Sequence, residues 1–233
     1  MFHVKICGVT TPDDARRAAE AGADAVGLNF VAGSPRRLDV AAARAVRAAV
    51  PRGVLVVGVF AGVPADEIKR VVEAVGLDAV QLHGRFGADD AADPPERCRD
   101  LAPLPVIRAV RLDPATSADR LATARRWIDA ARQLGHTPSM AIVDASVASD
   151  TAAGQLGGTG ATVDWEAFAQ APGLDIPTAL AGGLTADNVA TAIRATGTRA
   201  VDTASGVEAS PGRKDPAKLQ AFVTAARAAM GLG

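Results

Sequence analysis

The sequence predicts an α/β protein: a single-domain (β/α)8 barrel, or TIM barrel, with an eight-stranded parallel sheet over residues 1–233. Short β-branched runs alternate with amphipathic helical segments eight times, which matches this architecture. No low-complexity linker or block of charge divides the chain, so we expect one domain. A doubly wound open sheet is the competing fold, but it usually has about five or six strands and a glycine-rich turn after the first. The turn after the first run here lacks that glycine pattern.

The predicted strands are compact apolar runs, the pattern of strands that protein covers on both faces. In chain order they are His3–Cys7, Ala25–Phe30, Val54–Phe60, Asp78–His83, Pro105–Val110, Met140–Asp144, Pro177–Ala181 and Arg199–Thr203. Active sites of such barrels lie at the carboxyl ends of the strands. Polar residues at those ends are therefore the candidates for function.

Helix-start signals lie between the predicted strands. Thr11 precedes Pro12 and two aspartates, which predicts an N-cap followed by the first turn of a helix. Pro64 opens a segment with one apolar face, and Asp215 with Pro216 opens the last helix. The other predicted helical segments are Ala118–Leu134, Thr185–Ala195 and a short helix flanked by loop within Gly87–Pro103.

Composition excludes several classes of function. The chain has 25 Lys and Arg against 26 Asp and Glu, so no basic excess is available to neutralise nucleic-acid phosphates. The longest uncharged apolar run, Gly53–Val63, is too short to span a membrane, and no signal peptide is evident. Two cysteines, Cys7 and Cys98, make neither a disulfide framework nor a CxxC motif. We expect a cytoplasmic protein that binds neither nucleic acid nor membrane.

Polar side chains gather at the predicted strand ends. Lys5 and Cys7 share the face of the first strand that should point into the barrel, with Cys7 at its mouth. Gln81 and His83 share a face of the fourth strand, and Asp144 ends the sixth. Three of them have an ordinary alternative: a buried Cys is usually a small hydrophobe, His83 could be a hydrogen-bonded core residue, and Asp144 could cap a turn. Together on one rim they predict a site.

Glycine clusters follow the last three strands. They lie at Gly157–Gly160, Gly182-Gly183 and Ser205-Gly206. Glycine allows the backbone to approach an anion closely, and the helix that follows offers unpaired N–H groups. Because the loops after the seventh and eighth strands are a frequent phosphate site in this fold, the clusters predict a phosphorylated small-molecule ligand.

The ordered motifs resemble those of the phosphoribosylanthranilate isomerase family. They are Lys5-Ile6-Cys7-Gly8, Ser34-Pro35-Arg36, Val57–Phe60, Val80–Gly84, Gly157–Gly160, Leu180–Leu184, Ser205–Glu208, Pro211-Gly212 and Lys214-Asp215. The resemblance covers essentially the whole chain. It implies an aldose–ketose isomerase of tryptophan biosynthesis that needs no cofactor and no metal. The implied reaction is the Amadori rearrangement of N-(5-phosphoribosyl)anthranilate to 1-(2-carboxyphenylamino)-1-deoxyribulose 5-phosphate.

The resemblance also implies roles for residues. Cys7 is implied as the general base and Asp144 as the general acid, which must flank the sugar from opposite sides. Arg36 corresponds to the family's substrate-binding arginine, and its guanidinium suits the anthranilate carboxylate. The other substrate-binding residues are expected to be Lys5, Gln81 and His83. Phosphate binding is expected at Gly158, Thr159, Gly160, Gly182, Gly183, Asp202, Ser205 and Gly206, although Asp202 could instead hold the loop.

Two alternatives stay open. One is a dual-substrate isomerase that also acts on the histidine-pathway aminoaldose, although relatives of that type resemble an aspartate pair and Cys7 favours the monofunctional type. The other is a non-catalytic binder of a phosphorylated metabolite on the same barrel. The oligomeric state is also open, with a monomer slightly favoured because relatives include monomers and no long exposed apolar stripe argues otherwise.

Overall fold

The computed structural model describes residues 1–84, 93–112, 118–145 and 164–232. Its parallel strands form a closed barrel in which strands adjacent in sequence are adjacent in space, and β8 pairs with β1. The strands are β1 Val4–Cys7, β2 Ala25–Asn29, β3 Leu55–Phe60, β4 Ala79–Leu82, β5 Val106–Arg111, β6 Met140–Asp144, β7 Thr178–Ala181 and β8 Val201–Thr203. The predicted fold is confirmed.

Helices follow the strands and surround the barrel. They are α1 Pro12–Glu20, α2 Val40–Ala49, α3 Ala65–Val75, α4 Glu96–Leu101, α5 Ala122–Gln133, α6 Trp165–Gln170, α7 Val189–Thr196 and α8 Pro216–Met230. The predicted caps are confirmed: Thr11 Oγ1 accepts from the Asp14 N–H, and the Asp215 carboxylate accepts from two N–H groups of α8. Such caps typically contribute about 1 kcal/mol each to helix stability.

Two predicted helices begin later than the sequence indicated. The segment before α5 is a turn in which the Asp119 carboxylate accepts from the Leu121 N–H, so the helix begins at Ala122. The segment before α7 is a turn in which Asn188 Oδ1 accepts from the Thr185 N–H. In both places a short polar side chain satisfies backbone donors ahead of the helix, which helical periodicity alone does not show.

The core has two layers. Outward-facing strand residues such as Val4, Ile6 and Leu28 pack against the helices. Small and medium inward-facing residues, among them Ala25 and Val57, fill the barrel interior. Fully burying one large aliphatic side chain contributes roughly 1.5–3 kcal/mol, so the two layers together dominate the stability. The interior layer supports the residues at the mouth from below.

A small hairpin follows β8 and was not predicted. Strand β9, Glu208–Ser210, pairs antiparallel with β10, Arg213–Lys214. The hairpin places Glu208 and Lys214 beside the end of β1. Within the ranges that the structure describes, no helix is both long and apolar enough to cross a membrane.

Candidate active site

The two residues expected to act as base and acid both end barrel strands. Cys7 is the last residue of β1, and Asp144 is the last residue of β6, which β7 and β8 separate from β1 around the barrel. Both are partly accessible. Parallel strands present their carboxyl ends on the same side, so both side chains stand at one mouth of the barrel.

Lys5 lies inside the barrel, one inward-facing position below Cys7. Its side chain is fully buried, and its Nζ donates to Asp202 Oδ1 over 2.8 Å. Burial favours the neutral amine, but the charge of Asp202 and the neighbouring Cys7 outweigh it, so the pKa of Lys5 is raised. Lys5 therefore places a stable positive charge beneath the thiol.

Gly27 provides the space for this arrangement. It pairs in register with Cys7 on the neighbouring strand. A Cβ at this position would lie 2.8 Å from Cys7 Sγ and 3.3 Å from Lys5 Cε. The absent side chain allows the thiol and the lysine stem to occupy the same side of the sheet.

His83 and Gln81 are brought together, as expected from their shared strand. Gln81 Nε2 lies 3.3 Å from His83 Nδ1. When the amide of Gln81 donates to Nδ1, the proton of the neutral imidazole is on Nε2 of His83. Burial lowers the pKa of His83 to about 4, with Asp144 opposing the shift and Lys5 adding to it. The imidazole is therefore neutral near pH 7 and carries one N–H donor.

Arg36 is buried and does not extend into solvent. Its Nε and Nη2 donate to the two carboxylate oxygens of Glu208 over 2.8 and 2.7 Å. The hydrogen bonds that Arg36 donates to Glu208 raise the pKa of Arg36 against the cost of burial, and Cys7 also favours its charge. The side chain of Arg36 packs over Gly8, directly after Cys7, with its Cδ nearest. This carboxylate partner is a feature that the sequence reasoning missed.

Lys214 is a further buried cation, and the sequence reasoning missed it. Its Nζ donates to the Cys7 carbonyl over 2.7 Å, to the Ala204 carbonyl over 2.9 Å and to Glu208 Oε1 over 2.9 Å. The motif Lys214-Asp215 by itself indicates no role for this lysine. Only the position of the hairpin beside β1 gives this side chain its partners.

Part of the expected phosphate site lies within the described residues. Gly182 and Gly183 follow β7 with φ values of 95° and 61°, which favour glycine. Gly206 packs so closely on the Leu184 carbonyl that a Cβ there would overlap it. Asp202 uses its carboxylate to pair with Lys5, so its contact with phosphate stays a prediction. Ser205 precedes Gly206 in the turn after β8. The remaining predicted residues Gly158, Thr159 and Gly160 lie outside the described residues.

The second cysteine differs in character from Cys7. Burial raises the pKa of Cys98 to about 12, against a smaller opposing effect of Arg108. Cys98 lies on α4, outside the barrel. A thiol in that state is a poor base or nucleophile near neutral pH, which leaves Cys7 as the candidate.

Comparison with known proteins agrees with this geometry. The model of the N-(5'phosphoribosyl)anthranilate (PRA) isomerase family matches residues 4–225. The chain belongs to this family. It is thus an isomerase of the phosphoribosylanthranilate isomerase type, built on a TIM barrel, as the sequence predicted.

Individual relatives span the whole barrel. The N-(5'-phosphoribosyl)anthranilate isomerase of Neisseria meningitidis serogroup C is 43% identical over 227 residues, which cover 97% of this chain and 96% of the relative. The crystal structure of phosphoribosyl anthranilate isomerase from Thermotoga maritima matches with a TM-score of 0.79 and 34% identity, over 98% of this chain and 100% of that one. Another solved phosphoribosyl anthranilate isomerase is 31% identical, with a TM-score of 0.74, over 98% of this chain and 100% of that one. That structure is a complex with reduced 1-(o-carboxyphenylamino)-1-deoxyribulose 5-phosphate.

Proposed function

We propose that this chain converts N-(5-phosphoribosyl)anthranilate into 1-(2-carboxyphenylamino)-1-deoxyribulose 5-phosphate in tryptophan biosynthesis, in the cytoplasm and without cofactor or metal. One observation carries the proposal: Cys7 stands at the barrel mouth above the buried Lys5 ammonium, and Asp144 ends a strand elsewhere on the same mouth. A base and an acid on different strands of one rim suit a reaction that moves protons on two sides of a sugar.

Asp144 acts first, as the general acid. It donates its proton to the furanose ring oxygen, the bond from that oxygen to C1 breaks, and the nitrogen lone pair forms the C1=N bond. The sugar is now an open-chain iminium ion, whose positive nitrogen acidifies the proton on C2. Asp144 must therefore hold a proton when the substrate binds.

Cys7 acts second, as a thiolate. It removes the C2 proton, and the electrons of that bond form C1=C2 while the nitrogen regains its lone pair. The resulting enolamine tautomerises to the ketone by moving the hydroxyl proton at C2 to C1. Lys5 beneath Cys7 and the neighbouring Arg36 supply positive charge that stabilises a thiolate.

The remaining polar groups bind and orient the substrate. Arg36 keeps N–H donors beyond the edge that Glu208 occupies, and these suit the anthranilate carboxylate. Neutral His83 offers an N–H donor to the sugar, next to Gln81. The glycine turns after β7 and β8, together with the predicted Gly158–Gly160 segment, bind the phosphate through backbone N–H groups.

Single substitutions of the acid and the base test the proposal. Cys7→Ala and Asp144→Asn should each lower kcat by roughly three orders of magnitude or more, because each removes one obligatory proton transfer. Turnover is measured as the loss of substrate fluorescence on mixing. Binding of the reduced product analogue should stay within a few-fold of the parent protein.

Cys98→Ala is the matched control for the thiol, and it should keep normal turnover because that side chain is buried away from the barrel mouth. Near-normal turnover in Cys7→Ala would overturn the base assignment. A parent protein that binds the analogue but shows no turnover would instead be a metabolite binder. Turnover of the histidine-pathway aminoaldose, assayed in parallel, would identify a dual-substrate enzyme.

A further inference from the structure

A buried cluster beside the end of β1 is not accounted for by the proposed proton transfers. It consists of Arg36, Glu208 and Lys214, whose side chains are all less than one-tenth exposed. We call these three residues the Glu208 cluster. Its members come from the loop after β2 and from the hairpin after β8, so only the tertiary fold brings them together.

Lys214 fixes Glu208 relative to the barrel mouth. Its three hydrogen bonds, to Glu208 and to the carbonyls of Cys7 and Ala204, use all three protons of an ammonium group. The Cys7 carbonyl ends the strand of the proposed base. Ala204 directly precedes Ser205, the first residue of the predicted phosphate turn. Glu208 is thereby held at a set distance from both parts of the site.

Glu208 in turn fixes the guanidinium of Arg36. Both carboxylate oxygens accept from one edge of Arg36, and Oε1 also accepts from the Gly212 N–H over 3.3 Å. Burial opposes ionisation of Glu208, but Arg36 and Lys214 outweigh it and lower its pKa, so it is a carboxylate near pH 7. A two-point contact leaves the planar guanidinium little freedom to rotate.

We propose that Glu208 is a positioning residue, which holds Arg36 so that the free end of its guanidinium meets the aromatic carboxylate of the substrate. The inference rests on the proposed function, because it assumes the role given to Arg36. It adds that selectivity for a carboxylated aromatic amine depends on a residue that does not itself touch the substrate. Lys214 holds this carboxylate in place and links it to the base.

A substrate that lacks the aromatic carboxylate shows whether Glu208 positions Arg36 or only supports the fold. Loss of fold stability or of barrel geometry would lower turnover of any substrate, whereas a misplaced Arg36 matters only when a carboxylate is present. The probe is N-(5-phosphoribosyl)aniline, compared with N-(5-phosphoribosyl)anthranilate by chromatography of the ketose product. The experiment uses the full chain, with folding of each variant checked by circular dichroism.

Glu208→Gln should lower kcat/KM for the anthranilate substrate about 30-fold, mainly through KM, as expected when a charge-assisted pair is disturbed. For the aniline substrate kcat/KM should change less than about 3-fold. Equal losses with both substrates would overturn the inference, and so would an unchanged kcat/KM with the anthranilate substrate. Glu73→Gln, an exposed change of the same kind on α3, should change neither value.

Two further variants cover a Glu208→Gln protein that does not fold and test the role of Arg36 directly. If Glu208→Gln does not fold, Glu208→Asp keeps the charge but shortens the reach, and its loss should again be confined to the anthranilate substrate. Arg36→Met tests the assumption beneath the inference. If Arg36→Met lowers kcat/KM equally for the anthranilate and aniline substrates, the proposed role of Arg36 fails. If the loss of kcat/KM is confined to the anthranilate substrate in Arg36→Met but not in the Glu208 variants, only the positioning role of Glu208 fails.

Discussion

The ammonium group of Lys5 and the carboxylate of Asp202 lie 2.8 Å apart on β1 and β8, the two strands that close the barrel. The two residues pair in register, so their side chains enter the interior side by side. The lysine is fully buried and the aspartate nearly so. One ion pair therefore spans the seam of the barrel directly below the proposed base.

Removing one partner of this pair should strongly destabilise the protein. Lys5→Met leaves the Asp202 carboxylate buried without its cation, which typically costs about 3–5 kcal/mol of the free energy of unfolding. Urea denaturation measures the change. The exposed substitution Lys69→Met on α3 is the control and should change the free energy by less than about 0.5 kcal/mol.

The double variant Lys5→Met with Asp202→Asn should recover part of the lost stability, because no unpaired charge then remains in the interior. If the two substitutions instead add independently, the two charges are not coupled and this prediction is wrong.

Gly27→Ala should impair catalysis without unfolding the chain. The added methyl group would lie 2.8 Å from Cys7 Sγ, so the thiol has to move. Overpacking of this kind costs about 1–3 kcal/mol, and a misplaced catalytic group commonly loses about 100-fold in rate. Steady-state kcat should fall by at least tenfold with a cooperative melting curve retained. Gly173→Ala is the control, because the structure leaves open space there, and its kcat should match that of the parent protein. A kcat of Gly27→Ala equal to that of the parent protein would contradict the prediction.

Gly206→Ala should weaken phosphate recognition. A Cβ here would overlap the carbonyl oxygen of Leu184, which is backbone and cannot rotate away. The turn after β8 must then shift, and the same carbonyl already accepts from Thr203 Oγ1 over 2.8 Å. Competitive inhibition by inorganic phosphate should weaken about tenfold, a cost of about 1.4 kcal/mol. Unchanged inhibition would place the phosphate away from this turn.

The sequence was sufficient to predict the barrel because its signals are local. Buried strands appear as short β-branched runs, and alternation along β1 correctly placed Lys5 and Cys7 on the inner face. Helix starts marked by strong caps, such as Thr11 and Asp215, were also correct. The starts of α5 and α7 were missed because capping turns precede them.

The charged cluster behind the site could not be predicted in the same way. Glu208 and Lys214 are charged residues in a short segment rich in turns, which normally indicates a solvated loop. Their burial depends on Arg36 and on the Cys7 carbonyl, which are 172 and 207 residues away in the chain from Glu208 and Lys214 respectively. Pairing over such separations has no local pattern. By contrast, the partner of Lys5 follows from barrel closure, since β8 must lie beside β1.

Acid should destabilise the protein partly through His83. Its pKa is about 4 in the folded chain, against an ordinary value of 6.5 that applies to the unfolded chain. Between these two pH values the unfolded chain binds a proton at this residue that the folded chain does not. The free energy of unfolding therefore falls as the pH drops through this window, by at most about 3 kcal/mol because the ring is partly accessible. His83→Gln should flatten this part of the curve, measured by urea denaturation at a series of pH values. An identical slope in the variant, or an imidazole NMR titration near 6.5 in the folded protein, would contradict a neutral, desolvated His83.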